Sequence, residues 1–367
     1  MSGPRILTID VGTGTQDVLV FEAGTLIENA VQLIMPSPTA LVAQRVKEAT
    51  ADRVDLVLTG VTMGGGPDHW AVEAHLRAGL KVYATPDAAR TFDDDLERVT
   101  AMGIRIVDGP NGAGAARRLE LRDVYTAELM TALVAFGVST AFDAIAVAVF
   151  DHGAAPPGVS DRRFRFDYLR EQVDRGIGLT GFGFLADEIP ERMTRMRAVA
   201  SSWTGSEPLF VMDTGPAAVL GALEDTRVRS VDRVMIANLG NFHTIAAVLE
   251  GREIRGLLEH HTGELTKAKL EGYLEALAAG TLSNQAVFDD MGHGALLAGT
   301  ASAPPELLTV IGPRRALLDG SQLHPYLAVP HGDMMLAGCF GLLRALAARV
   351  PAYSTAIEDQ LGTQKSN

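Results

Sequence analysis

Two aspartates that flank a glycine-rich turn are the first residues of the sequence suited to binding chemistry. Asp10 and Asp17 enclose the segment Gly12-Thr13-Gly14-Thr15. Glycines let a turn approach a ligand closely, and the N–H groups of such turns form concave nests that suit phosphate oxygens. Carboxylates beside bound phosphate hold Mg2+, often through water. The segment is therefore a predicted phosphate site, with Asp10 as the metal ligand and both aspartates as catalytic candidates. Turn stabilisation by Asp10 and simple solvation of Asp17 are the alternatives.

A third carboxylate, Asp151, follows the nearly all-apolar residues 144–150. The end of a buried strand is the favoured place for polar catalytic groups in open α/β sheets. Asp151 is the predicted general base, which would accept a proton from a substrate hydroxyl or an attacking water; a loop cap is the alternative. None of the nine histidines has the helical spacing of a zinc motif, so no dedicated zinc site is predicted.

The elements that position these residues are two predicted β-hairpins. Residues 5–22 form two arms rich in Val, Ile and Leu around the glycine turn, which is the pattern of a hairpin. The same pattern recurs at residues 234–250, where Gly240 and Asn241 occupy the turn. We expect the two hairpins to face each other across a cleft, with Asp10 at its edge.

The chain between the hairpins alternates strands and helices. Predicted strands at residues 56–59, 81–84 and 104–107 enclose predicted helices at 68–78 and 92–102. Such alternation predicts a mostly parallel sheet covered on both faces. We predict a first lobe at residues 1–205, a second lobe at 206–330, and a helix at 331–350 that packs back on the first lobe.

Composition narrows the classes of function. The 367 residues carry 45 acidic and 32 basic side chains, a net charge of -13, which disfavours binding to nucleic acid or anionic membranes. The amino terminus lacks a signal-peptide pattern and no long apolar run is present, so a cytoplasmic protein is expected. The single cysteine, Cys339, cannot hold an iron–sulfur cluster, which sets aside a radical-type activating enzyme.

Several ordered segments resemble the sugar kinase, Hsp70 and actin superfamily, and most closely its hydantoinase A and 5-oxoprolinase family. They are Asp10 to Asp17, Gly215-Pro216-Ala217-Ala218, Asn238 to Thr244, Val310-Ile311-Gly312-Pro313, and Asp333 to Leu343. The sequence departs from the family pattern at the second hairpin. Asn238 and Ile245 stand where the family has aspartates, and Asn241 stands where it has a second glycine.

The resemblance implies an α/β fold of two lobes, the actin-like ATPase or ribonuclease H-like fold, with a nucleotide cleft between them. It implies ATP and Mg2+ as cofactors. Gly240 and Asn241 would bind the phosphates opposite the first turn, and Gly312 would meet the nucleoside.

The implied activity is ATP-dependent phosphoryl transfer or hydrolysis that activates a small amide, lactam or carboxylate substrate. The alternative is a nucleotide-switched ATPase or binding protein that activates or remodels a protein partner. Asn238 leaves both open, because a carboxylate that would orient Mg2+ or water is missing there. The oligomeric state is not predicted.

Overall fold

The computed structural model describes residues 3–299 and 303–362. Its strands are β1 (Arg5–Val11), β2 (Thr15–Glu22), β3 (Val31–Pro36), β4 (Leu56–Gly60), β5 (Val82–Ala84), β6 (Ile104–Ile106), β7 (Arg117–Leu121), β8 (Ala144–Val149), β9 (Gly183–Leu185), β10 (Leu209–Asp213), β11 (Arg233–Leu239), β12 (His243–Glu250), β13 (Glu253–His261), β14 (Gly294–Leu297), β15 (Leu307–Ile311) and β16 (Tyr326–Leu327). Its helices are α1 (Pro38–Ala51), α2 (Pro67–Arg77), α3 (Pro86–Ala89), α4 (Leu96–Ala101), α5 (Thr126–Ala135), α6 (Asp161–Asp174), α7 (Thr194–Ser202), α8 (Thr214–Ala222), α9 (Thr226–Arg229), α10 (Lys267–Ala278), α11 (Asn284–Asp289), α12 (Ala337–Arg349) and α13 (Pro351–Leu361). Across the described ranges, none of the helices has the length and apolar character needed to cross a membrane.

Two six-stranded sheets share one plan. The first has the order β3-β2-β1-β8-β10-β9, and the second has the order β14-β13-β12-β11-β15-β16. In each, a three-stranded antiparallel meander starts from a central strand, and that strand pairs in parallel on its other side, β1 with β8 and β11 with β15. The recurrence of the hairpin predicted from the sequence is confirmed, and it extends to five strands of each sheet, β3-β2-β1-β8-β10 and β13-β12-β11-β15-β16.

The first sheet continues through β10, which pairs in parallel with β8. It therefore runs beyond residue 205, where we placed the end of the first lobe, and the lobe boundaries themselves stay a prediction. Helix α12 packs on β1 and β8 of this sheet, and the assignment of segment 331–350 to the first lobe stays a prediction.

A separate four-stranded sheet lies between β3 and β8 in the chain, with the order β6-β5-β4-β7. All its strand pairs are parallel, as the alternating pattern predicted. Its core is distinct from the main one and includes Val46, Leu58 and Val72. The helix predicted at residues 92–102 is shorter than expected, because Asp95 caps α4 by accepting the N–H of Glu97 and so fixes its start at Leu96.

Helices α8 and α12 cross in close contact between the two large sheets. A methyl group on Gly221 would lie 1.7 Å from the Ala337 carbonyl, and one on Gly341 would lie 1.9 Å from that of Ala217. Side chains larger than hydrogen would separate the helices. The small residues at this contact therefore permit the close crossing of α8 and α12.

Candidate functional site between the two hairpins

The turns of the two hairpins have the same backbone geometry and meet in one cleft. Gly12 donates its N–H to the Thr15 carbonyl at 2.9 Å, and Gly240 donates to the His243 carbonyl at 3.0 Å. A methyl group on Gly14 would lie 2.3 Å from Nδ2 of Asn241. The sequence-predicted turns thus lie against each other, and the cleft around them holds about 930 Å³ of space, including space open to solvent.

The first turn is held from outside the cleft by Ser37, which precedes α1. Its hydroxyl donates to the Thr13 carbonyl at 2.7 Å, and its N–H donates to the Gly14 carbonyl at 3.1 Å. These bonds fix two peptide carbonyls of the turn toward Ser37. The turn is therefore rigid before any ligand binds, which is the condition for a preorganised anion nest.

Asp10 and Asp17 are directly opposite each other on β1 and β2. Asp10 accepts the Thr214 hydroxyl at 2.6 Å and abuts the start of α12, since a methyl group on Gly338 would lie 1.9 Å from its Oδ2. Burial raises the pKa of Asp10 to about 6. Burial, and then the charge of Asp10, raise the pKa of Asp17 to about 8.

Asp17 also carries an unused acceptor. Its Oδ1 is buried and makes no hydrogen bond within the described residues, while its Oδ2 accepts only a long bond of 3.4 Å from the Thr15 hydroxyl. A buried acceptor without a donor costs free energy. The two carboxylates together therefore form a site with a deficit of positive charge.

The second hairpin places different side chains at the matching positions. Asn238 on β11 is opposite Ile245 on β12, in the way that Asp10 is opposite Asp17. Asn238, Gly240, Asn241 and Ile245 all line the cleft. The departures noted in the sequence thus face the same space as the aspartates.

The second sheet does have a carboxylate, on the next strand after Asn238 and Ile245. Glu259 on β13 is opposite Ile245 and lines the cleft. Both its oxygens accept from the guanidinium of Arg165, at 2.8 and 3.0 Å. Arg165 also pairs with both oxygens of Asp213, so one buried cation from α6 links the ends of the first and second sheets.

Gly312 lines the wall of the cleft, at the position where the resemblance places the nucleoside. It has a φ of +97°, and a methyl group there would meet the Leu239 carbonyl at 2.5 Å. Only glycine fits this turn without strain. Pro313, Met334 and Met335 line the cleft beside it and give an apolar surface.

Asp151 is not among the cleft-lining residues. Its two oxygens accept the N–H groups of Gly153 and Met196, each at 2.8 Å, so it fixes the loop after β8 against α7. This geometry is that of the loop cap named as the alternative in the sequence, and the role of general base stays a prediction without support from position.

Several cleft residues had no clear signal in the sequence. Thr214 is the first residue of α8, and no motif marked it. Nothing in the sequence distinguished Arg195 on α7 from the other arginines. Arg195 is held by two bonds to Asp123 and packs against Gly64, where a methyl group would lie 2.3 Å from its guanidinium. Gly64 and its neighbour had only a loop-like composition to suggest a functional position.

The two repeated sheets, with their hairpin turns meeting in one cleft, form the two-lobed α/β arrangement that the sequence predicted. A family model described as "Putative pyruvate format-lyase activating enzyme (DUF1786)" matches residues 63–317, more than half of the chain. The chain belongs to this family. No curated protein matches it.

Solved structures with a similar arrangement are only distantly related. Ethanolamine utilization protein EutJ from Carboxydothermus hydrogenoformans has 13% identity and a TM-score of 0.31, over 94% of this chain and 90% of that one. MreB5 of Spiroplasma citri bound to ADP has 11% identity and a TM-score of 0.30, over 96% and 98%. An exopolyphosphatase-like protein has 9% identity and a TM-score of 0.25, and the chain covers 66% of its length and 85% of its own. These low identities and TM-scores assign no superfamily, and the resemblance to hydantoinase A and 5-oxoprolinase stays a prediction.

Proposed function

We propose that the cleft binds ATP with Mg2+ and that the protein transfers or hydrolyses the terminal phosphoryl group. The observation that carries the proposal is the meeting of the two turns, Gly14 of the first against Asn241 of the second. Two backbone turns without bulky side chains at their contact suit a chain of phosphates lying between them. The buried carboxylates lie beside the same space.

Asp10 and Asp17 fit a divalent cation. Asp17 Oδ1 is a buried oxygen with no donor within the described ranges, and the raised pKa of both residues reflects burial with a like charge nearby. A cation would relieve the repulsion and supply the missing partner. Carboxylate oxygens and phosphates are the ligands that Mg2+ takes in nucleotide sites. Mg2+ would neutralise charge that develops on the phosphates.

The chain's own residues would act mainly by position. The first turn and Asn241 would bind phosphate oxygens, and Thr214 would hold Asp10 in its orientation through their 2.6 Å bond. Arg195, held by its ion pair with Asp123, places guanidinium N–H donors at the cleft wall. Phosphoryl transfer depends largely on such positioning and charge stabilisation. Asp17 lines the cleft and Asp151 does not, so we assign Asp17, rather than Asp151, the contact with the attacking water or hydroxyl.

The substrate in this proposal is a small amide, lactam or carboxylate, on the strength of the family resemblance. A protein partner is the second candidate. Asn238 and Ile245 leave the second turn without the carboxylates of the first, which favours slow hydrolysis of the kind a switch uses. The family description names an activating enzyme. Because this chain has one cysteine, activation would rest on nucleotide-driven opening and closing rather than on a radical cluster.

A matched pair of glycine variants tests the nucleotide proposal. Gly14→Leu places a side chain between the two turns, whereas Gly272→Leu makes the same change on the exposed face of α10, where nothing lies within 4 Å. Thermal denaturation should show that ATP or ADP with Mg2+ raises the Tm of the native protein and of Gly272→Leu but not of Gly14→Leu. No shift of the native protein with any adenine or guanine nucleotide would contradict the proposal.

The two candidate functions separate in a turnover assay. Release of ADP that depends on an added small amide, lactam or carboxylate favours the enzyme. Weak hydrolysis that rises only with a protein partner favours the switch.

A further inference from the structure

Three histidines from distant parts of the chain meet beside the cleft. His152 follows β8 of the first sheet, His243 begins β12 of the second, and His293 precedes β14. One ring nitrogen from each lies within 4.8 Å of the others. Docking of the two sheets assembles this group from distant segments of the chain. No helical histidine spacing therefore marks it in the sequence.

Three ring nitrogens of this group lack partners. Nε2 of His243 and both ring nitrogens of His293 are buried and make no hydrogen bond to any described residue. A neutral imidazole has one donor and one acceptor nitrogen, and a buried nitrogen left unpaired is destabilising. Three such atoms in one place require an explanation.

Ring stacking does not provide it. Phe150 stacks on His243 with ring centroids 3.9 Å apart and nearly parallel planes, and the ring centroids of His152 and His293 lie 5.7 Å apart. Stacking buries the faces of the rings. The nitrogen lone pairs lie in the ring planes, so stacking leaves them without a partner.

A metal binds the lone pair of a neutral imidazole, and burial, as for the His293 side chain, favours that neutral form. The nearby Arg165 is already paired with carboxylates, so its charge is largely compensated.

An orienting carboxylate is also present. Glu259 Oε2 lies 3.9 Å from Nδ1 of His293, and Arg165 fixes its position through two bonds. Metal-bound histidines characteristically direct the second ring nitrogen toward a carboxylate or carbonyl. The neighbouring His261 has a ring centroid 4.7 Å from that of His293. Its Nδ1 donates to the Met291 carbonyl at 2.9 Å.

We propose that His152, His243 and His293 bind one Zn2+ ion, and that the fourth ligand is water. Three histidines with one open position are a known zinc arrangement, whereas Mg2+ prefers oxygen ligands. Zn–N bonds of about 2.0–2.1 Å place ligand nitrogens about 3.4 Å apart, so the rings close by about 1 Å around the ion. His243 lines the cleft, which puts the metal at the wall of the proposed nucleotide site but on separate ligands.

Zinc titration of the full chain without an affinity tag tests this site. After treatment with chelator, ZnCl2 is added in calorimetry without nucleotide, and we expect one ion per chain. His152→Gln and His243→Gln should each weaken binding by at least about 10-fold. His69→Gln, a histidine change on α2 away from the group, should bind like the native protein. Absence of stoichiometric binding, or equal affinity in all four proteins, would overturn the proposal.

A spectroscopic measurement on the native protein covers the case in which a ligand variant fails to fold. CoCl2 in place of zinc should give the visible absorption of four-coordinate Co2+ with nitrogen ligands, and ZnCl2 should abolish it. A six-coordinate Co2+ spectrum would instead indicate oxygen ligands and would overturn the three-histidine assignment. Neither measurement involves nucleotide, so failure here leaves the ATP proposal to its own test.

Discussion

The two hairpins share a backbone and differ in chemistry. Each turn closes with a bond from a glycine N–H to the carbonyl three residues on, Gly12 to Thr15 and Gly240 to His243. The strand pairing matches as well, with Asp10 opposite Asp17 and Asn238 opposite Ile245. Yet the first hairpin presents two carboxylates and the second presents an amide and a hydrocarbon.

In the second sheet, the acidic residue lies one strand further from the central strand than the aspartate pair does in the first sheet. Its cross-strand row reads Asn238, Ile245, Glu259, whereas the row of the first sheet reads Asp10, Asp17, Ile34. Among the described residues, no arginine pairs with Asp10 or Asp17, while Glu259 is held in a buried pair by Arg165. One backbone plan therefore supports two carboxylates without a cationic partner in one sheet and a neutralised carboxylate in the other.

The largest expected effect concerns that anchor. Arg165→Met would leave Asp213 and Glu259 buried without their cation, which costs about 3–5 kcal/mol of unfolding free energy. Urea denaturation should show this loss. Arg192→Met, which breaks the exposed pair with Glu171, is the control and should cost less than about 1 kcal/mol.

A similar stability of the two arginine variants would mean that the link between the sheets contributes little. Adding Asp213→Asn and Glu259→Gln to Arg165→Met should recover part of the loss, because the variant then carries no unpaired buried charge.

The second prediction concerns the carboxylate pair. Asp10→Asn retains an oxygen that can accept the Thr214 hydroxyl but removes the charge, so we expect ATP affinity in Mg2+ to fall at least about 10-fold, or about 1.4 kcal/mol. Affinity without Mg2+ should change far less. Glu22→Gln, at the far end of the same hairpin, should behave as the native protein in calorimetry.

Equal losses with and without Mg2+, or an unfolded variant, would assign Asp10 a structural role. The first hairpin would then resemble the second in its backbone and also in having no carboxylate that binds a cation.

The sequence was sufficient to predict both hairpins because local patterns define them. Alternating apolar residues and a glycine turn fix the strand pairing, and the matched residues then follow by counting. Gly312 was predicted through the family resemblance; it lines the cleft, and its φ of +97° requires glycine.

Other parts of the site depend on tertiary contacts that no local pattern carries. The histidine group joins residues 152, 243 and 293, and only the docking of the two sheets brings them together. Asp151 is a case in which a local pattern was present but the tertiary contacts differ from what it predicted. Its place at the end of a buried strand predicted catalysis, but its oxygens are used by the N–H groups of Gly153 and Met196.

The third prediction uses pH to distinguish the hairpins. Asp10 and Asp17 have folded pKa values raised to about 6 and about 8 from an unfolded value near 3.8, so the folded state binds more protons between those limits. The contribution of these two carboxyls to stability without Mg2+ should therefore fall as pH rises, from about 4 to 6 for Asp10 and from about 4 to 8 for Asp17, by up to about 1.4 kcal/mol per pH unit for each group. Asp17→Asn should flatten this slope in denaturation curves, and Mg2+ with ATP should do the same to the native protein.

Ile245→Val, the control at the matching position of the second hairpin, has no titrating group to lose and should keep the native slope. A slope unchanged in Asp17→Asn would show that other groups dominate the pH dependence.

The smallest expected effect comes from making the second hairpin more like the first. Asn238→Asp restores a carboxylate at the cleft wall, and it faces Ile245 rather than a second aspartate, so it adds one charge without creating an acidic pair. A carboxylate there is placed to orient Mg2+ or the attacking water. We expect nucleotide affinity to stay within a few-fold and basal ATP hydrolysis to rise, measured as phosphate release under single-turnover conditions.

The opposite outcome has its own physical basis. If the Asn238 amide donates a hydrogen bond to a phosphate, the new carboxylate repels that anion, and affinity falls without any gain in turnover. Asn238→Ser separates the cases, because a hydroxyl can donate to phosphate but cannot replace a carboxylate. Native affinity in Asn238→Ser together with lost affinity in Asn238→Asp would make Asn238 a phosphate ligand, and the second hairpin would then be a working half of the site whose amide replaces the carboxylate of the first.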